Sequence, residues 1–538
     1  MFIINFNKNA DLFVKRHLWK MYIRNTCNAR FINPIHRIYK ETIICAKPFD
    51  TFLNRNSGID CGIIKILIRI FEVSISKLID MFYKLDSEEG VNMLKKAYAK
   101  LTVPQLKERQ NGEPDATERN PYHRDFTRIL YSASFRRLQG KMQILGIQND
   151  AFFRNRLTHS LEVSQIARDI ASKIGEIIGD NAYSADKDLY VIEAAALAHD
   201  IGHPAFGHSG ERALDAVCKD RKIGRFEGNA QNFKIINDIE KKFPKTTGLN
   251  LTYRTLLAIN KYIVKENTEV EKFLYKKDYE DLEDKRKQTD LIGERTLDVQ
   301  IIDVADEIAY AVHDLEDGLS MGYFTIDEIT YLLKGHFYKE DEATKTIKED
   351  PNKVDAKEVA KFLDIVESAK AVAYQASSYK TTQEYSQIFR RTVVSKLTHE
   401  FINDIGWVKI DKEAKKEHGT HTAQYELGCC QWHKLVHALK KLIYKAVTRH
   451  DDIQLYEKRG SIVINRLFSI YSNKDNIQLL TPDYRPDIDC KKKTLTKKEQ
   501  KMLDRAAIDF IAGMMDDYAK AMYKRYYNVE FDDIPIDN

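Results

Sequence analysis

The chain of 538 residues is 43% apolar and 31% charged with only 11 prolines and 23 glycines, which excludes disordered, collagen-like and membrane-embedded classes and leaves a charged globular protein with room for a large core. Its formal charge of +5 comes from 85 bases against 80 acids, and the whole excess sits in residues 1–50, while everything from Met93 onward sums to zero. Seven scattered cysteines, odd in number and without a Cys-x-x-Cys pair, exclude a disulfide framework and a structural zinc site and point to a reducing compartment.

The basic N-terminus lacks the order of basic, apolar and small residues that marks a signal peptide. The most apolar stretch, Cys61–Phe71, is interrupted by Lys65 and Arg69, so no run reaches the roughly 18–20 residues of a spanning helix, and a soluble cytoplasmic protein is expected. Over Cys61–Lys84 the polar positions Lys65, Arg69, Glu72, Ser76, Asp80 and Lys84 recur at spacings of three and four. They predict an amphipathic helix packed on a neighbour, because a stripe of both signs suits a membrane surface poorly. From Met93 the pattern is of long helices broken by short Gly, Pro and Asn signals. Two segments dense in charge, Lys265–Lys287 and Tyr338–Glu358, read as solvated insertions or exposed helices. Strand-like alternation is confined to short pieces such as Trp407–Ile410, so the fold class is mainly α.

Three histidines fall within ten residues in the stretch from Ala198 to Glu211. The preceding Val191–Asp200 is an Ala-rich helical pattern with Ile192 and Ala195 seven and four residues before His199, which puts that imidazole on the buried face. A lone buried His is usually a hydrogen-bonded core residue. Asp200 follows it, however, and a buried carboxylate beside an imidazole is costly unless a cation or hydrogen bonds compensate. His159, with Val163, Ile166 and Ile170 on its face, also points inward. Farther on, Thr296–Gly322 holds seven acids and no Lys or Arg. Ile301, Ala305, Ile308, Val312 and Leu315 form one face of it and Asp303, Asp306, Tyr310, Asp314 and Asp317 another. A solvated acidic face is the ordinary reading of such a run; the missing bases and the central Tyr310 suit a carboxylate-lined site instead. Two His and two Asp without a thiolate suit an octahedral Mn²⁺ or Mg²⁺, or Fe²⁺, better than a closed zinc site. The His-Asp dipeptide alone is weak and recurs at His313-Asp314 and at His450-Asp451, the latter reading as an exposed helix end.

Taken together, His159, His199-Asp200 and Asp306 resemble the His…His-Asp…Asp signature of the HD phosphohydrolase superfamily. The stretches Phe135–Gln143, Arg156–Val163, His199–Glu211, Phe226–Gln231 and Asp303–Tyr310 with its continuation to Asp317 resemble, more narrowly, the deoxyguanosinetriphosphate triphosphohydrolase family. Asp509–Tyr518 looks like that family's closing helix, and the likeness runs from about Met93 to the C-terminus. The resemblance implies an HD-domain helical core with an additional C-terminal helical region. It implies metal ligands His159, His199, Asp200 and Asp306, with Mn²⁺ or Mg²⁺ (or Fe²⁺) as cofactor, and a catalytic pair of His208 and Glu211. It further implies that Gln143 and Asp314 hold the sugar 3′-hydroxyl, that Tyr310 packs on the sugar, and that Arg156 and Lys261 meet the phosphates. Met142 departs from the family pattern, where a small polar residue is frequent.

The implied reaction is metal-dependent hydrolysis of deoxynucleoside triphosphates, dGTP foremost, to deoxynucleoside and inorganic triphosphate by water attack at the α-phosphorus. The alternatives are an HD phosphohydrolase for another nucleotide and a non-catalytic nucleotide sensor or nucleic-acid-binding regulator. A near-zero charge from Met93 onward gives the last no support. By resemblance a homo-oligomer built partly from the C-terminal helices is expected, and an allosteric nucleotide is compatible. The expected organisation is an N-terminal extension (1–92), a catalytic domain (93–340) and a C-terminal helical region completing site and oligomer contacts (341–538). Residues 1–92 read either as an arm touching nucleic acid or membrane or, the favoured reading, as an upstream extension with translation beginning at Met93.

Overall fold

A computed structural model describes residues 84–112, 119–143, 154–241, 247–267, 269–335, 338–340, 347–349, 354–489 and 492–536. The described residues all fall within one compact unit, Ile79–Asn538. The expectations for residues 1–50 and for a helix over Cys61–Lys84 lie outside the described residues, apart from Lys84 itself. That residue is not helical but forms an antiparallel bridge with Gly406.

The described chain is mainly α, as its composition and periodicity predict. Helices α1 (Glu88–Ala99), α2 (Pro121–Leu130), α3 (Arg156–Ile178), α4 (Leu189–Ala198), α5 (Gly207–Arg221), α6 (Gly228–Lys234), α7 (Tyr253–Ile259), α8 (Lys276–Gln288) and α9 (Leu297–Met321) come first. They are followed by α10 (Ala356–Ala376), α11 (Thr382–Asn403), α12 (His433–Thr448), α13 (Asp451–Tyr471), α14 (Lys497–Ala512) and α15 (Asp516–Tyr527). Two small antiparallel ribbons accompany them: β1 (Tyr338–Glu340) with β2 (Ile347–Glu349), and β3 (Ile405–Lys409) with β4 (Tyr425–Cys429), the latter in register Ile405↔Cys429 to Lys409↔Tyr425.

The centre is α4. Leu189, Val191, Ile192 and all of Ala194–Ala198 are buried in it, and its small alanines let α2, α3, α7 and α9 pack around it. The residues that end this helix are thereby placed inside the molecule.

Several expectations are corrected here. The division at 92/93 cuts through α1, which starts at Glu88 because Ser87 Oγ accepts from Gly90 N at 3.0 Å. Leu85 is buried ahead of it, and Trp407 Nε1 donates to Gly90 O at 3.3 Å. The cores do not divide at 340/341 either. One runs from Leu85 to Ile453 and takes in α10–α12; the other joins Ala205, Phe206, Leu214 and Cys218 to Tyr456, Phe468, Phe510 and Ile534. Within the charged segment Lys265–Lys287, α8 is not merely solvated. It buries Leu282 and Arg286, whose Nη2 donates to Asn260 Oδ1.

Candidate active site

At the head of α3, Asn155 Oδ1 accepts from Thr158 N and Thr158 Oγ1 accepts from Asn155 N, both at 3.0 Å. This capping box fixes the first turn, and His159 leaves it into the core, 1% exposed. His199 caps the end of α4 with its Nδ1 2.6 Å from Ala196 O. With Nδ1 donating there, Nε2 is the ring atom left to face the site, and it is buried without a hydrogen-bond partner among the described residues. From α9, Asp306 Oδ1 lies 3.1 Å from His159 Nε2 and 3.5 Å from His199 Nε2. These three ligand atoms are within 4.8 Å of one another.

The donor set fits a divalent cation. An orphaned imidazole lone pair whose other nitrogen is fixed on a carbonyl, a second imidazole and an ionised carboxylate are what such an ion requires. That lone pair has to be freed of a proton: burial works against the charged form of His199, but Asp200 and Asp306 outweigh it and hold the ring up at about 9, so a cation binding there would displace a proton. Burial likewise opposes ionisation of Asp306, yet His159 and His199 keep it well below the usual carboxylate range. Asp200, the fourth expected ligand, stands one step aside. Its Oδ1 is 3.7 Å from His199 Nε2 and 3.1 Å from His203 Nδ1, while Oδ2 accepts from Arg156 Nη1 at 2.5 Å.

The catalytic candidates follow on α5. Phe206 and Gly207 are both left-handed, at φ 62° and 56°, and turn the chain sharply into that helix. Glycines make the turn sterically feasible, since a Cβ on Gly210 would lie 1.9 Å from Ala205 O and one on Gly202 2.2 Å from Gly228 O. His208 Nδ1 is 3.0 Å from Glu211 Oε2, so the i,i+3 pair expected from the sequence is formed, with the His208 side chain half exposed. Gly228 N donates to the other oxygen of Glu211 at 2.9 Å, and Lys272 Nζ stands 3.7 Å away. Burial raises Glu211, and its hydrogen bond to His208 with the neighbouring cations brings it down below the usual range. His203, given no role by the sequence reading, bridges the two halves of the site. It touches Asp200, and its ring lies 6.0 Å from that of His208. Burial, with Arg156 adding to it, lowers His203 to about 3, so it is a neutral imidazole.

Of the expected substrate contacts, Tyr310 stacks obliquely on His159 at 4.9 Å between centroids and is covered by Lys440 Nζ at 5.1 Å. Asp314, one turn on, is buried, and burial with the nearby Asp317 holds its carboxyl well above the usual range. Gln143 is buried with neither amide atom hydrogen-bonded among the described residues. Arg156 and Lys261, the expected phosphate contacts, are both engaged with carboxylates. Arg156 is 1% exposed and engaged with Asp200, and Lys261 pairs with Asp303, 3.8 Å from Asp306.

The acidic stretch of α9 is also less bare than its sequence implies. Arg254 pairs with Asp298 at 2.8 Å, Arg295 with Asp303 at 2.7 Å, and Arg154 with Glu316 at 2.6 Å and with Asp317. The missing bases are supplied from other elements, which leaves Asp306, Glu307 and Asp314 as the carboxylates without an arginine partner among the described residues, Asp306 lying 3.8 Å from Lys261. The C-terminal segment Asp509–Tyr518 is not one helix but the break between α14 and α15, ended by Gly513. Beyond it Asp516 accepts from Phe206 N at 3.1 Å, Met142 N at 3.0 Å and Tyr456 Oη at 3.1 Å, tying α15 to the catalytic turn. Lys440, Lys272, Gly228 and Asp516 were given no role because each comes from an element distant in sequence; the Phe226–Gln231 motif and the Asp509–Tyr518 stretch signalled two of them, Gly228 and Asp516.

Residues 156–311 match the HD domain, and residues 431–525 match the phosphohydrolase-associated domain. The chain is 40% identical over 421 residues to deoxyguanosinetriphosphate triphosphohydrolase-like protein 2 of Vibrio cholerae serotype O1, covering 77% of this chain and 90% of that one. It is 31% identical over 476 residues to the protein of the same name from Mesorhizobium japonicum, covering 76% and 96%. It is 30% identical over 459 residues to a deoxyguanosinetriphosphate triphosphohydrolase-like protein of Shewanella loihica, covering 77% and 93%. With an HD signature whose His159, His199 and Asp306 converge in space and relatives matched over most of their length, the chain belongs to the HD-domain deoxyguanosinetriphosphate triphosphohydrolase-like family.

Proposed function

We propose that the protein hydrolyses deoxynucleoside triphosphates, dGTP foremost, to deoxynucleoside and inorganic triphosphate. The observation that carries this reading is the juxtaposition, through Asp200 and His203, of a divalent-cation site with the His208–Glu211 pair. His159, His199 and Asp306 would hold the ion, with Asp200 beside it; Mn²⁺ or Mg²⁺ suits the donors, and Fe²⁺ is compatible. When bound, it supplies charge neutralisation at the phosphoryl oxygens and a lowered pKa for water.

The chain's own residues do the rest. In the reaction a water oxygen bonds to the α-phosphorus, the bond from that phosphorus to the sugar O5′ breaks, and O5′ takes a proton. Half-exposed His208 is placed to give that proton, and Glu211, fixed by Gly228 N, orients the ring and stabilises its charged form. Asp314, kept protonated by burial, offers an O–H to the 3′-oxygen, and the Gln143 amide, without a partner among the described residues, suits the same hydroxyl. Tyr310 under Lys440 forms an aromatic wall for the sugar. Arg156 would meet phosphate through the Nε that Asp200 leaves unused, or by exchanging partners.

Incubation of the purified protein with each dNTP and NTP plus Mn²⁺ or Mg²⁺ tests the reading. Inorganic triphosphate is the expected product; monophosphate with pyrophosphate, or no turnover, refutes it. Self-association through the C-terminal helices belongs to the same proposal, and light scattering at several concentrations checks it. No helix among the described residues is long and apolar enough to cross a membrane.

A further inference from the structure

His203 takes no part in the chemistry proposed above, yet it is held as firmly as the residues that do. Its backbone N donates to Asp200 O at 3.2 Å, its carbonyl accepts from the buried Lys141 Nζ, and its ring rests on Gly228, where a Cβ would lie 3.2 Å from Nε2. The residue is 7% exposed, and its buried Nδ1, although 3.1 Å from Asp200 Oδ1, makes no hydrogen bond among the described residues. A polar atom left so in the interior calls for a partner. One is suggested by the neighbours: His203, His208 and Glu211 each offer a ligand atom, and the three atoms lie within 4.8 Å of one another.

The donors identify the ion. The first centre adds Asp200 to two imidazoles and a carboxylate, whereas this set has one free carboxylate oxygen, because Gly228 N holds Glu211 Oε1. Two imidazoles and one oxygen, open on the exposed side of His208, suit Zn²⁺ and the borderline ions near it, while Mg²⁺ seeks oxygen donors. A tetrahedral ion with bonds of about 2.0–2.2 Å spaces its ligand atoms by roughly 3.4 Å. His208 Nδ1 and Glu211 Oε2 stand 3.0 Å apart, so a shift of about 0.4 Å admits the ion, and half-exposed His208 is free to make it while His203 and Glu211 stay fixed. The nearby cations are occupied: Arg156 by Asp200, and Lys272, 3.7 Å from Glu211, by Glu227 at 2.9 Å. We infer that His203, His208 and Glu211 form a second cation site, for Zn²⁺ and like ions, distinct from the centre of His159, His199 and Asp306. Its occupation withdraws the proton donor. An imidazole coordinated through Nδ1 cannot take up the second proton that makes it an acid, and one coordinated through Nε2 presents none to the substrate. Zn²⁺ therefore inhibits the turnover that Mn²⁺ supports. This consequence, unlike the binding itself, rests on the role given to His208 above.

The test counts ions on full-length protein stripped of metal and dialysed against Zn²⁺ or Mn²⁺ at the same free concentration, with circular dichroism confirming folding. With Zn²⁺ the wild type is expected to hold two ions per chain, Asp306→Ala one, His203→Ala and His208→Ala one each, and Asp306→Ala/His208→Ala none. With Mn²⁺ the wild type should hold one and Asp306→Ala none, so that Mn²⁺ content reports the first centre alone. Should Asp306→Ala fail to fold, the fall from two Zn²⁺ to one in His208→Ala, a half-exposed position, decides by itself. Zn²⁺ added to the Mn²⁺-loaded wild type is expected to lower kcat by roughly 10²-fold, the loss that removal of a general acid brings, with Mn²⁺ content unchanged; Mg²⁺ at the same concentration should leave kcat as it was. A single Zn²⁺ per chain in the wild type, or two in His208→Ala, would overturn the proposal. Because counting ions needs no turnover, a second Zn²⁺ that depends on His208 and yet leaves kcat unaltered, or that binds to a protein without activity, would uphold the site and refute the catalytic reading alone.

Discussion

Asp516 offers a sharp test of how the C-terminal helices support the site. It is 5% exposed and accepts three hydrogen bonds, from Phe206 N, Met142 N and Tyr456 Oη. Replacing it with Ala strands three buried donors at about 1–3 kcal/mol each, a sum of roughly 3–9 kcal/mol that rivals the whole stability of an ordinary domain. Asp516→Asn is the more informative change, because it keeps one acceptor oxygen and turns an NH₂ toward the remaining donors, at about 2–4 kcal/mol. Phe206 is the residue most affected, since its left-handed backbone costs roughly 1–2 kcal/mol and depends on Asp516 and on its stack with Phe531, 5.7 Å between centroids. Relaxation of that turn displaces His208 two residues later, and about 1 Å of misplacement costs on the order of 10²-fold in rate. Thermal unfolding by circular dichroism, metal content and kcat should be measured on the same preparation. The expectation is a folded Asp516→Asn protein with lowered Tm, full metal and kcat reduced 10- to 100-fold. Wild-type kcat in a variant with the lowered Tm would refute the link between this carboxylate and the catalytic turn.

Other expectations are simpler. His199→Ala and Asp306→Ala should abolish metal binding, measured by elemental analysis after dialysis, and His208→Ala should retain the metal and lose roughly 10²–10⁴-fold in kcat; full occupancy in Asp306→Ala would undo the ligand assignment. Asp200→Ala should lose metal too and, by stranding Arg156 in the core, lower Tm further than His199→Ala does. Burial presses Lys141 down to about 7, with Arg137 and Arg156 adding to it, while its Nζ donates to the carbonyls of His203 and Ala512. A lysine whose folded pKa lies below its unfolded value near 10.5 penalises the native state fully below about pH 7 and not at all above about 10.5, so its contribution makes stability rise with pH across that window. Denaturant titrations of Lys141→Met should show a shallower rise there; an unchanged slope would count against it. A chain starting at Met93 would lose the Ser87 cap, buried Leu85 and the Gly90 carbonyl under Trp407, at about 3–5 kcal/mol in total, visible as a lower Tm than that of the full chain.

The parts legible in the sequence were those set by local chemistry. Helical periodicity fixed which way His159 and Asp306 face, and the i,i+3 spacing paired His208 with Glu211. Only the structure could reveal that Arg156 and Lys261 are spent on Asp200 and Asp303, because ion-pair partners are chosen by tertiary packing and a charge carries no mark of its partner. The same holds for Asp516, whose acceptor role depends on a turn 310 residues earlier in the chain. The division at 92/93 failed for a different reason. It followed where the family likeness fades, whereas the helix starts where Ser87 can cap it.

Helix α9 carries seven acids and borrows its counter-ions from Arg154, Arg254, Lys261 and Arg295. None of these lies within the helix, so an excised α9 peptide would repel itself and stay unfolded in water. In the intact chain the helix reaches its buried form only as the segments holding those bases arrive with it. The site-bearing half is therefore expected to assemble and melt as one cooperative unit, and grafting the acidic helix into another scaffold would require transplanting four cations from three other places in the chain.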